Sequence, residues 1–280
     1  MQKIVEQTFD EERALYGIHD AEITGCTFDG PADGESALKE TGDIVVENCY
    51  FNLRYPFWHT TNGVVRKAIM TENCRAALWY DKNITLESCE MNGIKALREC
   101  QEIQLTDCSI HSPEFLWRCS GIRVKDCHLE SEYPFFECHD MEIDNLAMTG
   151  KYSFQYVENV TIRNSNLQTK DAFWHGKNVT VIDSVVTGEY LGWYSENLKF
   201  IRCRIVGTQP LCYCKGLVLE DCVMEQTDLS FENSEVCARI NGSIDSVKNP
   251  IKGMIHADSI GEVILDAPGD PVTQCKIISG

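Results

Sequence analysis

ITLESC (84–89), IQLTDC (103–108) and IRVKDC (122–127) follow one another at a step of 19 residues, and that step decides the fold. VTIRNS (160–165), VTVIDS (179–184), LKFIRC (198–203) and LVLEDC (217–222) keep it, and the weaker MEIDNL (141–146) fills the gap on schedule. Earlier units end near Cys26, Cys49 and Ala68 with small insertions, and one more ends near Asn241. A short period held through so many units marks a solenoid, here of about twelve coils.

Each unit has a physical reading. Ile103 and Leu105 alternate with Gln104 and Thr106, the period-2 pattern of a strand with one buried face. Asp107 breaks that strand, because Asp accepts turn geometry. Cys108 and Ile110 flank Ser109 and make a second short strand facing the same interior. Phe115, Leu116 and Trp117 supply a third apolar patch, so the coil is expected to be triangular. No unit holds a stretch of helical periodicity, which removes helical repeats with periods of about 33 residues or more.

The expected fold is therefore all-β: a single-stranded right-handed parallel β-helix in one domain, 1–280. Residues 1–20 are expected as an N-terminal cap, 21–241 as coils and 242–280 as a C-terminal cap. The alternative is a leucine-rich-repeat horseshoe, since CSGIRVKDCHL (119–129) fits the pattern L-x-x-L-x-L-x-x-N/C-x-L with Cys in its first slot. Its period of about 20–29 residues is slightly too long, and the Tyr, Phe and Trp in the rest of each coil suit a strand better than a helix.

Stacked coils lie about 4.8 Å apart and turn each repeat position into a ladder. Ile84, Ile103 and Ile122 share one buried row; Cys89, Cys108 and Cys127 share another, and Cys100, Cys119 and Cys138 a third. Asn159, Asn178 and Asn197 stack at a turn. Glu158, Lys177, Glu196 and Lys215 alternate in sign, an order that suits a parallel stack.

The terminal segments are less regular. FDEERALYG (9–17) contains a weak helix-compatible run that suits a cap, and FDGPADGESALKE (28–40) reads as an inserted loop. NGSIDSVKNP (241–250) is turn-rich, and IHADSIGEVILDAPGD (255–270) is expected to give a last strand or cap.

Lys and Arg total 25 against 43 Asp and Glu, a net charge of −18. Such a chain repels phosphate backbones and anionic membrane surfaces, so neither nucleic acid nor a membrane is expected as a partner. The N-terminus has no basic start followed by an apolar run, and no run approaches about 18 apolar residues. The expected location is the cytoplasm. Fifteen cysteines, an odd number in a long chain without a leader, read as buried reduced thiols in preference to disulfides. Cys212 and Cys214 are the one close pair, and the His residues do not cluster, so no metal or cofactor is expected.

ERALYG (12–17), FDGPADGESALKE (28–40), NLRYPFWH (52–59), CRAALWY (74–80), GIKALREC (93–100), GKYSFQY (150–156) and GTQPLCYC (207–214) resemble a family of uncharacterised bacterial proteins. That family is classed as a domain of unknown function with a pectin-lyase-like right-handed β-helix. The resemblance covers nearly the whole chain. It implies the fold and a bacterial cytoplasmic source, and it brings no reaction and no site residues.

The third side of the coil varies from unit to unit, and there any function is expected. One row carries Trp58, Trp79, Arg98, Trp117, Trp174 and Trp193; the next carries His59, Tyr80, Tyr156, Tyr194 and Tyr213. Arg54, Tyr55, Arg75, Tyr152 and Lys170 flank them. The expectation is a groove that binds a carbohydrate or a similar elongated polar ligand, with aromatic rings against sugar rings. The alternative is a non-catalytic structural or protein-interaction scaffold; the oligomeric state is open. Residues 115 and 116 are both apolar, so strict alternation fails here and the rings face either the groove or the core. For catalysis, Glu99 and Glu137 share a row two coils apart, about 10 Å, near the upper spacing of an inverting hydrolase pair. Asp171 and His175 are the other candidates. Hydrolase and lyase signatures of known β-helix enzymes are not found, so enzymatic activity is left open.

Overall fold

In the computed structural model, which describes residues 1–30, 35–266 and 273–280, each 19-residue step becomes one turn of a parallel β-solenoid. The chain forms two compact units, Met1–Ala147 and Met148–Gly280. In a solenoid each coil contacts only its neighbours, so a long repeat divides without any linker in the sequence. In the first unit Lys82–Glu87 pairs in parallel with Gln101–Thr106, Ile84 facing Ile103 and Leu86 facing Leu105. In the second, Lys177–Ile182 pairs with Glu196–Ile201, Val179 facing Leu198 and Val181 facing Phe200. These inward residues are buried, as the alternating pattern requires.

About 14 turns are present, more than the twelve expected, because pairing runs into both segments expected to be caps. Gln2–Val5 is already a strand in register with His19–Thr24, and Lys252–Ile264 pairs with Gln274–Ser279. The helix-compatible run at 9–17 forms turns whose N–H groups bond to the following coil, Leu15 to Ala37 and Gly17 to Lys39. No helix is found among the described residues, which removes the leucine-rich horseshoe. None is therefore long and apolar enough to cross a membrane. The centres of the loop at 28–40 and of the last segment, residues 31–34 and 267–272, lie outside the described residues.

Corners in the left-handed region make so short a coil possible. Asp171, Phe173, His175, Asn178 and Asp183 have φ of 50, 63, 55, 52 and 49°. One coil later Tyr190, Gly192, Tyr194, Asn197 and Arg202 repeat the set. An L-residue in this region costs about 1–2 kcal/mol. The hydrogen-bond ladder offsets it. At Asp171, His175 and Asp183 the N–H reaches forward to Glu189, Trp193 and Ile201 at 3.0 Å each. At Phe173, Lys177 and Val185 it reaches back to Ser153, Val157 and Ser165 at 2.9 Å. The corners thus stay within the ladder, where each bond contributes about 0.5–1.5 kcal/mol.

The cysteine rows have a chemical purpose inside the coil. The Cys100 N–H donates to the Cys119 sulfur at 3.3 Å, and the Cys119 N–H to the Cys138 sulfur at 3.3 Å. The Cys119 thiol in turn reaches the Trp117 carbonyl at 3.3 Å. In the second unit serine takes over as the acceptor, and the Ser165 N–H donates to Ser184 Oγ at 3.0 Å. Sulfur or hydroxyl is needed because one corner N–H points into the core. Fourteen of the cysteines are buried and all fifteen are unpaired, as expected; Cys237 is exposed. Burial pushes the Cys49, Cys74 and Cys214 thiols up to about 11, which suppresses thiolate chemistry.

The amide ladder also forms: Asn178 Nδ2 donates to Asn159 Oδ1, and Asn197 Nδ2 to Asn178 Oδ1, both at 3.0 Å. In the alternating charge row Lys215 pairs with Glu196 at 3.8 Å, an exposed contact worth little.

Three substitutions at two positions probe these roles by urea denaturation. Cys119→Ala leaves the Cys100 N–H without an acceptor and is expected to lower stability by about 1–3 kcal/mol, with Cys119→Ser retaining most of it. Asn178→Val puts a β-branched residue in the left-handed region and is expected to cost about 1–2 kcal/mol from strain alone.

Candidate binding surface

The third side is tight because left-handed residues come close together, and this explains its irregular parity. Leu116 (φ 51°) turns the chain so that it and Phe115 are both buried. Phe135, Phe154, Phe173 and Leu211 are buried in the same way, each with positive φ. The next row, with the tryptophans, is half-buried on the outside. The row after it sits at a corner: His59, Tyr80, Tyr156, His175, Tyr194 and Tyr213 all have φ between 55 and 61°. All are exposed except Tyr213, which is half-buried. The tryptophans therefore belong to the surface, and the inner rows complete the core.

In the second unit four rings form one column. Tyr156 and His175 stack at 4.9 Å, His175 and Tyr194 at 5.1 Å, Tyr194 and Tyr213 at 4.8 Å, all within 12° of parallel. Beside it Trp174 and Trp193 stack at 5.4 Å and 3°. Their indole N–H groups donate to the backbone of the following coil, at Tyr190 and Gln209. Lys170 lies 5.6 Å above the Tyr190 ring and pairs with Glu189 at 3.3 Å. Tyr152 is half-buried at an earlier corner, its N–H on the Lys170 carbonyl.

In the first unit the tryptophan row is a stack of rings and cations. Lys39 Nζ stands 4.0 Å over Trp58, and Trp58 stacks on Trp79 at 5.4 Å. Arg98 follows in register and lies 5.2 Å from the Trp117 ring. His59 stacks on Tyr80 at 5.2 Å. Arg54 pairs with Glu35 at 3.4 Å, while Tyr55 packs against both Trp58 and Trp79. Arg75 is exposed.

The candidate carboxylates are committed to neighbours. Arg118 stands in the row between Glu99 and Glu137 and holds Glu137 at 2.7 Å. Glu99 lies 3.8 Å from Arg98 and beside the Tyr80 hydroxyl, whose hydrogen bond to it pushes the phenol up. A cation thus occupies the row position between the two acids where a hydrolase would hold its water. Asp171 is buried, and burial raises its carboxyl. His175 is clasped between two tyrosines, and among the described residues no hydrogen bond joins it to Asp171. The described residues also hold no group of three or more His, Cys, Asp or Glu able to bind a metal.

The sequence pattern did not single out Asp81. It replaces the cysteine of the interior row, accepts the Thr60 N–H on Oδ1 at 2.7 Å, and leaves Oδ2 buried without a partner. Burial raises its carboxyl far above the ordinary range. Its position among Cys100, Cys119 and Cys138 was the available signal.

The chain belongs to a family described as "Protein of unknown function (DUF3737)". The family model matches residues 2–278. No curated protein matches the chain. Among solved structures it is similar to the A-module of the mannuronan C-5 epimerase AlgE4 of Azotobacter vinelandii, at 10% identity over 99% of this chain and 87% of that one, TM-score 0.31. Tailspike protein 3 of bacteriophage CBA120 shares 11% identity over 99% of this chain and 56% of its own length, TM-score 0.42. QnrB1, a plasmid-mediated fluoroquinolone resistance protein, shares 13% identity over 84% and 91%, TM-score 0.20. These likenesses are distant, and the family's description assigns no reaction.

Asp81 gives a pH test. A carboxyl whose pKa is raised in the folded state stabilises the fold fully only below its unfolded pKa, about 3.9. Stability is then lost as pH rises from there through the folded value. Asp81→Ser keeps an acceptor for Thr60, as Ser234 does for Cys214. It is expected to raise the urea midpoint at pH 7 and to flatten the fall in stability between pH 4 and 7.

Proposed function

We propose that this protein binds an elongated, hydroxyl-rich ligand, an oligosaccharide, along the aromatic side of its coils. The column Tyr156–His175–Tyr194–Tyr213 carries the proposal. A column that served only packing would be covered; here Tyr156 and Tyr194 are 52% and 44% exposed. Its step of about 5 Å is close to the length of one sugar residue, so successive rings can address successive units of a chain.

The mode of contact differs from open platforms. The rings lie face to face with one another, so a ligand laid along the column meets their edges, hydroxyls and ring nitrogens. Those groups both donate and accept hydrogen bonds, which suits sugar hydroxyls. Lys170 pairs with Glu189 and Lys215 with Glu196, and Glu158 and Lys177 stand beside the column with opposite signs, so this stretch favours uncharged sugar units. Each ring is fixed by its neighbours, which limits the entropy lost on binding.

Isothermal titration of the intact chain against a panel of neutral and acidic oligosaccharides tests the proposal. Tyr156→Ala combined with Tyr194→Ala is expected to weaken binding about tenfold with an unchanged circular dichroism spectrum. An intact chain that binds none of the panel would remove the proposal.

A further inference from the structure

Trp117, Trp174 and Trp193 each anchor the indole N–H on a backbone carbonyl 16 residues further on, at 2.7, 2.7 and 2.8 Å. Trp58 and Trp79 do not. Among the described residues their Nε1 atoms are buried without any hydrogen-bond partner. A buried donor left unmet is costly, and native structures rarely keep one without a reason. Here two stand in adjacent coils, on rings stacked 5.4 Å apart at 11°. The Tyr55 ring packs against both, 5.8 Å from Trp58 and 5.7 Å from Trp79. Tyr55 is half-buried against the two rings.

The charges around this pair are uneven. Lys39 Nζ lies 4.0 Å over the Trp58 ring, and neither Lys39 nor Arg75 forms an ion pair among the described residues. The nearby acids are engaged, Glu35 by Arg54 at 3.4 Å and Glu40 by the Tyr16 hydroxyl at 2.6 Å. In a chain of net charge −18, this stretch thus carries two indole donors without an acceptor and a cation over the Trp58 ring. Repulsion from distant surface acids is screened beyond about 8–10 Å, so local groups decide.

We propose that Trp58 and Trp79 form a subsite for a carboxylate-bearing sugar residue, entered when the Tyr55 ring turns aside. The two indole N–H groups take the acceptor oxygens, and Lys39 and Arg75 balance the charge. This rests on the saccharide reading above and adds an acidic ligand class at a place distinct from the tyrosine column.

The test titrates the intact, 15N-labelled chain with an oligogalacturonate hexamer and with an uncharged galactan hexamer, following the five indole N–H resonances. The acidic hexamer is expected to shift those of Trp58 and Trp79 and to leave that of Trp117 in place, with the neutral hexamer at least tenfold weaker at these two. Trp58→Phe with Trp79→Phe keeps the rings, removes the donors and is expected to cost at least tenfold in affinity for the acidic hexamer. Lys39→Gln with Arg75→Gln is expected to abolish the salt dependence of binding. Unmoved Trp58 and Trp79 resonances at saturation, or unchanged affinity in the double Phe variant, overturn this subsite. In that case binding that still depends on Tyr156 and Tyr194 leaves the broader saccharide reading standing. Failure of both hexamers to bind overturns this subsite, and the saccharide reading is then decided by the wider oligosaccharide panel.

Discussion

The 19-residue turn depends on backbone held in the left-handed region at several corners of the repeated coil, as at Asp171, Phe173, His175, Asn178 and Asp183. Without those corners an L-polypeptide cannot close so short a circuit, and with them each residue carries a local conformational penalty. What makes the geometry tolerable is register. A corner N–H that would point into nothing in an isolated turn meets the carbonyl of the adjacent coil, as His175 meets Trp193. One coil alone would be strained and unpaired. A stack of them is strained and paired, and the second condition wins because every bond recurs at every turn.

This constraint selects chemistry as well as shape. A corner that folds inward delivers an N–H to a core where water cannot follow, so the next coil must present an acceptor small enough to pack. Cysteine meets both needs, apolar enough for the interior and able to accept a weak bond. Serine is the natural substitute at Ser165 and Ser184. The abundance of cysteine thus follows from core geometry. Asp81 fills the same role with a carboxyl whose burial favours the neutral form.

Two sides of the coil were legible because their strands obey simple alternation. Ile84, Ile103 and Ile122, and the cysteine rows, fall where period 2 puts them. The third side was not legible. Left-handed residues such as Leu116 and Phe173 reverse the sense of side-chain direction although they are bulky apolar residues, a type that does not announce positive φ. Phe115 and Leu116 both turn inward, and Trp117 becomes a surface residue. The ends were misread for a related reason: FDEERALYG has a helical composition, yet its backbone is drawn into the ladder by the coil that follows. Asp81 was legible only through its place in the row of Cys100, Cys119 and Cys138, since nothing in its own residue type marks an interior position.

The same stacking that makes the aromatic side conspicuous narrows what it can do. In-register rings use their faces on each other, so an aromatic row on a solenoid is not a row of open platforms. Its free chemistry lies at the edges: phenol hydroxyls, imidazole nitrogens and, where the backbone has not taken it, the indole N–H. At Trp174 and Trp193 the backbone has taken it, and those residues serve mainly to lock successive coils. At Trp58 and Trp79 it has not. The unused polar edges are therefore not spread evenly over the aromatic rows; they stand where coil-to-coil bonding has not taken the indole N–H.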